Sequence, residues 1–97
     1  MENNKQRCIV RGNASGVFFG EVEGHNGQEV IMRNARCLWY WEGAASLLQL
    51  AAEGVKNPVG CKFTMTVDRL IITDAIEAIP CTKAACASID GMKEWKM

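Results

Sequence analysis

The sequence has one histidine, two prolines and no apolar run of membrane-spanning length. The lone His25 sits in the turn-forming stretch "GHNGQ" and no pattern pairs it with a nucleophile, so no catalytic constellation emerges and an enzyme is not expected. Charge of one sign is also missing. There are 11 Lys/Arg against 11 Asp/Glu, for a formal net charge of +0. Residues 1–42 hold five of each sign and residues 43–97 hold six of each. Strong non-specific DNA binding needs many phosphate contacts, and no basic arm supplies them. A small anionic ligand needs only one or two arginines and stays within reach. The opening "MENNKQRC" lacks the apolar centre of a signal peptide. The expectation is a cytoplasmic protein without membrane contact.

A phosphate loop is absent too, because Gly12, Gly16 and Gly20 are followed by no P-loop lysine and helix. Five cysteines are present, at positions 8, 37, 61, 81 and 86, but none forms a CxxC pair. They read as free thiols acting as small hydrophobes, with no metal and no cofactor implied. Asp74 and Glu77 read as solvated surface.

What is there suits one domain over residues 1–97, since 48% of the residues are apolar and a second core would not fit. Arg7–Arg11 and Val17–Glu23 read as strands separated by the turn "GNASG". Asn26-Gly27 signals a hairpin into a long third strand, Glu29–Trp41. Neither face of that strand is cleanly apolar, and a bulge near Asn34 would resolve the pattern. "EGAASLLQLAAEGV" reads as a helix starting at Ala44 or Ser46. Ser46 and Gln49 resemble a capping box, and Gly54 is a stop. Phe63, Met65 and Val67 alternate with threonines and predict a fourth strand. Asp68-Arg69 is a turn candidate. Leu70–Pro80 has both helical and strand spacing, and its β-branched residues favour a strand. Thr82 caps a last helix of about Lys83–Ile89, ending near Gly91, and Trp95 folds back onto the body. The result is an α+β domain: an antiparallel sheet of about five strands with two short helices, in the order βββαββα.

The stretch with the most chemistry is "RNARCLWYW", residues 33–41. An arginine fork suits a phosphate or carboxylate, and an indole face suits a base. Arg33, Asn34, Arg36, Trp39 and Trp41 are therefore the candidate ligand-binding residues. The same residue types mark protein-interface hot spots, and aromatics in a long strand also serve as core.

The segments Arg33–Arg36, Leu38–Trp41, Gly43–Leu47, Gly54–Val55, Cys61–Phe63 and Thr73–Thr82 together resemble a small domain-of-unknown-function family of tailed bacteriophages and prophages. That resemblance implies a non-enzymatic phage accessory protein acting against bacterial host defence. Its partner would be a small nucleotide-like immune signal or a host protein such as a nuclease. A virion or assembly role is the remaining reading. It carries no catalytic residues over. The small size and apolar content further predict a homo-oligomer.

Overall fold

A computed structural model of the chain describes residues 6–95, so residues 1–5, read above as no signal peptide, lie outside the described part. The strands β1 (Arg7–Gly12), β2 (Val17–Asn26) and β3 (Glu29–Tyr40) form an antiparallel meander. Next come α1 (Leu47–Glu53), one 3-10 turn (Pro58–Gly60), β4 (Lys62–Phe63), β5 (Val67–Ile72), β6 (Ala75–Pro80) and α2 (Lys83–Asp90). The expected α+β architecture is present, with six strands and two helices among the described residues.

Both helices start where the sequence indicates. Ser46 Oγ accepts from Gln49 N, and the Gln49 side chain accepts in return from Ala45 N at 2.7 Å, one residue earlier than a standard capping box. Gly54 ends α1 at φ 82°, a conformation that favours glycine. Thr82 Oγ1 accepts from Ala85 N at the start of α2.

The β2–β3 hairpin also forms, but its two-residue turn is Gly27-Gln28, because Asn26 still pairs with Glu29. The expected fourth strand is cut short. It keeps only Lys62–Phe63, while Thr64–Thr66 leave the sheet. Asp68-Arg69 is no turn but the middle of β5, where Arg69 pairs with Arg33 of β3. The bend falls instead at Thr73-Asp74, which splits the expected 70–80 strand into the end of β5 and the whole of β6.

That bend shapes the domain. β5 pairs with β3, and β6 pairs with β1, so they lie at opposite margins of the array β5–β3–β2–β1–β6. In a flat sheet those margins would be roughly 19 Å apart. The chain from Ile72 to Ala75 spans at most about 11 Å. The sheet must therefore curl until its margins approach. Asp74 pins the closure. Its carboxylate accepts from Ala14 N (2.8 Å), Ser15 N (3.0 Å) and Ser15 Oγ (2.6 Å), and its carbonyl accepts from Asn13 N. Ala75 N donates to the Gln28 carbonyl at the tip of the β2–β3 hairpin.

A curled sheet buries both faces. Cys8, Val10, Val30, Met32, Ala35 and Ile72 pack inside the curl. Ile9, Phe19, Leu38 and Phe63 pack outside it, against Leu50 and Ala51 of α1 and Ile89 of α2. Successive residues of β1 therefore enter different cores, and the strand reads as a continuous apolar run.

Candidate functional site

The nine residues of "RNARCLWYW" straddle the end of β3, and the structure sends their side chains in different directions. The cause is a bulge. Arg33 pairs with Glu21 and Arg36 with Phe19, so β3 carries two residues, Asn34 and Ala35, opposite the single Gly20 of β2. Asn34 takes φ 51°, in the left-handed region where asparagine is one of the tolerated residues. Met32 and Ala35, three apart, consequently share the inner core, and Arg36 and Leu38 turn toward the helices. Gly20 is required for this fit. A Cβ there would lie 2.8 Å from Ala35 Cα and 3.0 Å from the Arg33 carbonyl.

Arg36 is 5% exposed. Its guanidinium donates to four backbone carbonyls: Nε to Thr64 (2.9 Å), Nη1 to Ile89 (3.0 Å) and Met92 (3.1 Å), and Nη2 to Phe63 (3.3 Å). Burial pushes its pKa down, partly offset by the carboxylates of Glu94 and Asp90. Four of its five N–H donors are thus spent within the fold. Arg33 is more accessible but also held. Nε donates to the Asp68 carbonyl at 3.1 Å, Nη2 lies 3.3 Å from the Asp68 carboxylate, and Nη1 lies 3.7 Å from Glu23. Asn34 is exposed at the bulge. The two arginines do not converge on one ligand position.

The aromatics divide as well. Trp41 is half-buried against the helix-side core. Trp39 is 59% exposed and stacks on Trp95, with ring centroids 5.0 Å apart and planes 19° from parallel. The C-terminal segment makes that stack. Glu94 forms a parallel bridge with Phe63, and Trp95 N donates to the Phe63 carbonyl at 2.8 Å. Lys62 Nζ lies 5.5 Å from both indole centroids, a cation–π distance. Tyr40 is exposed beside them and donates its hydroxyl to Glu42 at 3.0 Å, which raises its pKa. Trp39, Tyr40 and Trp41 line a shallow, open depression of about 320 Å³.

The candidate site is therefore an aromatic patch with one ammonium, and the donors of Arg33 and Arg36 are engaged within the fold. It offers flat apolar area, a cation and a phenol. Lys62, Tyr40 and Trp95 were not among the expected site residues. The fold-back of Trp95 is legible in the sequence, but its docking beside Trp39 depends on a bridge from Glu94 to Phe63 that no local pattern encodes.

A family model described as "Domain of unknown function (DUF6948)" matches residues 5–89, a span that includes Trp39, Tyr40 and Lys62. No curated protein and no solved structure is matched.

Proposed function

The chain belongs to the DUF6948 family of domains of unknown function, and from that premise we propose that it is a non-enzymatic binding protein whose partner is another protein. The exposed Trp39–Trp95 stack carries this reading. Tryptophan, tyrosine and arginine dominate interface hot spots, because a rigid ring delivers much contact area at little entropic cost. Here two indoles and Tyr40 lie together on an open surface. A nucleotide signal would be better served by a concave pocket with free phosphate donors. Arg33 and Arg36, the expected donors, are engaged by carboxylates and carbonyls.

The resemblance to a phage and prophage family supplies the biological setting of this proposal. The partner would be a bacterial host protein, and binding would antagonise host defence. Among the described residues no helix is long and apolar enough to cross a membrane. Self-association belongs to the same proposal. Val67 and Ile71 are exposed on β5, which among the described residues pairs only with β3, so a second copy fits that edge. Sedimentation at micromolar concentration tests it, and a monomer would contradict it.

One observation favours a second reading. Lys62 beside the exposed Trp39 ring would suit a base stacked on the indole with its phosphate on the ammonium. Such stacking contributes about 1–3 kcal/mol per base. Affinity purification from bacterial lysate separates the two. The protein reading predicts one host protein retained by the wild type and lost with Trp39→Ala. The nucleotide reading predicts a small molecule released intact on denaturation.

A further inference from the structure

The segment that follows α2 is docked as a bound peptide would be. β4 stands at one end of the array β4–β3–β2–β1–β6 and pairs with β3 on one side, through Leu38 with Phe63 and Tyr40 with Lys62. An end strand presents main-chain donors and acceptors to any added strand. Here the chain itself supplies the addition. Glu94 bridges Phe63 in the parallel sense, and Trp95 N donates to the Phe63 carbonyl at 2.8 Å. The Trp95 ring then lies on Trp39 at 5.0 Å, with Lys62 beside both. Main-chain pairing plus a side chain set on a matching surface is how sheet edges take up extended peptides.

The segment divides at Met92. Met92 is half-buried against the helix-side core, its N–H donates to the Ile89 carbonyl at 3.1 Å, and its carbonyl accepts from the buried Arg36. Lys93, Glu94 and Trp95 are all exposed. Exposed segments with few buried contacts open locally at low free energy, while the fold as a whole persists. The contacts also define what fits there. Trp39 takes a flat ring at stacking distance, and one residue earlier the carboxylate of Glu94 acts on the Arg36 guanidinium.

We propose that β4 and Trp39 form the docking edge for an extended acidic–aromatic segment of the partner protein, and that Lys93–Trp95 is a strap that this segment displaces. The proposal rests on the reading that the Trp39 patch binds protein. The partner's main chain takes over the bond to the Phe63 carbonyl. Its ring replaces Trp95 on Trp39, and its carboxylate replaces that of Glu94. Met92 stays under Arg36, so α2 and the core are undisturbed. A segment without the ring forfeits the stack and cannot compete with the strap, so the strap contributes specificity.

The probe is a synthetic peptide of residues 91–95, which carries the strap's own side chains. It is added to the full chain as wild type and as Trp95→Ala, with far-ultraviolet circular dichroism confirming that the variant is folded. Stacked indoles couple excitonically, and the peptide is expected to restore in trans the couplet that Trp95→Ala lacks. By fluorescence anisotropy of the labelled peptide, wild type should bind about tenfold more weakly than Trp95→Ala, because the strap lowers the fraction of open sites. A Trp95→Ala version of the peptide should restore no couplet, and neither should the intact peptide on the double variant Trp39→Phe/Trp95→Ala. No couplet in trans, equal affinity for wild type and Trp95→Ala, or a couplet that persists without Trp39 would overturn the proposal. No host protein enters this assay. Its failure therefore removes the strap alone, whereas failure to retain a host protein from lysate removes the binding reading.

Discussion

Arg36 on β3 donates from Nη1 to the Ile89 carbonyl at 3.0 Å, joining residues 53 positions apart. Ile89 is in the last turn of α2, where a cation is favoured, and its carbonyl also accepts from Met92 N at 3.1 Å. The same guanidinium also holds Phe63, Thr64 and Met92. One side chain thus ties together β3, β4 and the end of α2.

Arg36→Ala should therefore destabilise the domain by about 3 kcal/mol, because four backbone carbonyls each lose a charge-assisted donor, and among the described residues only those of Phe63 and Ile89 keep a backbone one, from Trp95 N and Met92 N. Arg36→Lys should recover only part of this, since one ammonium cannot reproduce a planar fork. Chemical denaturation of the three proteins is the measurement. A stable Arg36→Ala protein would return Arg36 to the list of free binding residues.

Gly20→Ala tests the bulge. The new methyl would collide with Ala35 Cα at 2.8 Å and Ala35 Cβ at 2.9 Å, and backbone cannot yield as a flexible side chain does. A loss of about 1–3 kcal/mol is expected, the usual cost of overpacking. An unchanged denaturation midpoint would mean that β2 and β3 do not meet in this register.

Asp74 predicts a pH dependence. The Ser15 hydroxyl, followed by the Ala14 N–H, holds its carboxyl below the usual range. A group whose folded pKa is depressed stabilises the fold above its unfolded pKa, about 4, and that contribution is lost as pH falls through the folded value. The denaturation midpoint should accordingly decline below about pH 4. Glu53, also lowered by Lys56 and Gln49, contributes to the same limb. In Asp74→Asn the midpoint at neutral pH should be lower and the acid decline shallower. An identical acid decline in both proteins would rule out Asp74 as the pin of the bend.

The Trp39–Trp95 stack has an optical signature. Two indoles with centroids 5.0 Å apart couple excitonically and should give a circular-dichroism couplet. Trp39→Phe and Trp95→Phe should each remove both lobes, while Trp41→Phe should leave them. A couplet that survives either of the first two would place the C-terminal segment elsewhere.

The elements with local signals were the legible ones. Ser46, Thr82 and Gly54 fix helix ends through hydrogen bonds and φ preferences within a few residues, and all three act as read. The bulge at Asn34 was legible because it repairs a broken alternation. Asp68-Arg69 misled because its turn composition is overridden by pairing with β3 and by the hold of Arg33 on Asp68. Asp74, read as surface, closes the sheet through partners about sixty residues earlier. The site divided in the same way. The aromatic stretch contributes Trp39 to the exposed patch. The roles of Arg33 and Arg36 were not legible, because carboxylates and carbonyls from distant segments occupy their donors.

The binding reading stands or falls on Trp39. The direct measurement is native mass spectrometry of wild-type protein and Trp39→Ala, each affinity-purified from bacterial lysate, with circular dichroism confirming that the variant is folded. The expected result is a stoichiometric complex between the wild type and one host protein, absent from folded Trp39→Ala. The same protein retained by Trp39→Ala, or a bound small molecule and no protein on the wild type, would contradict it.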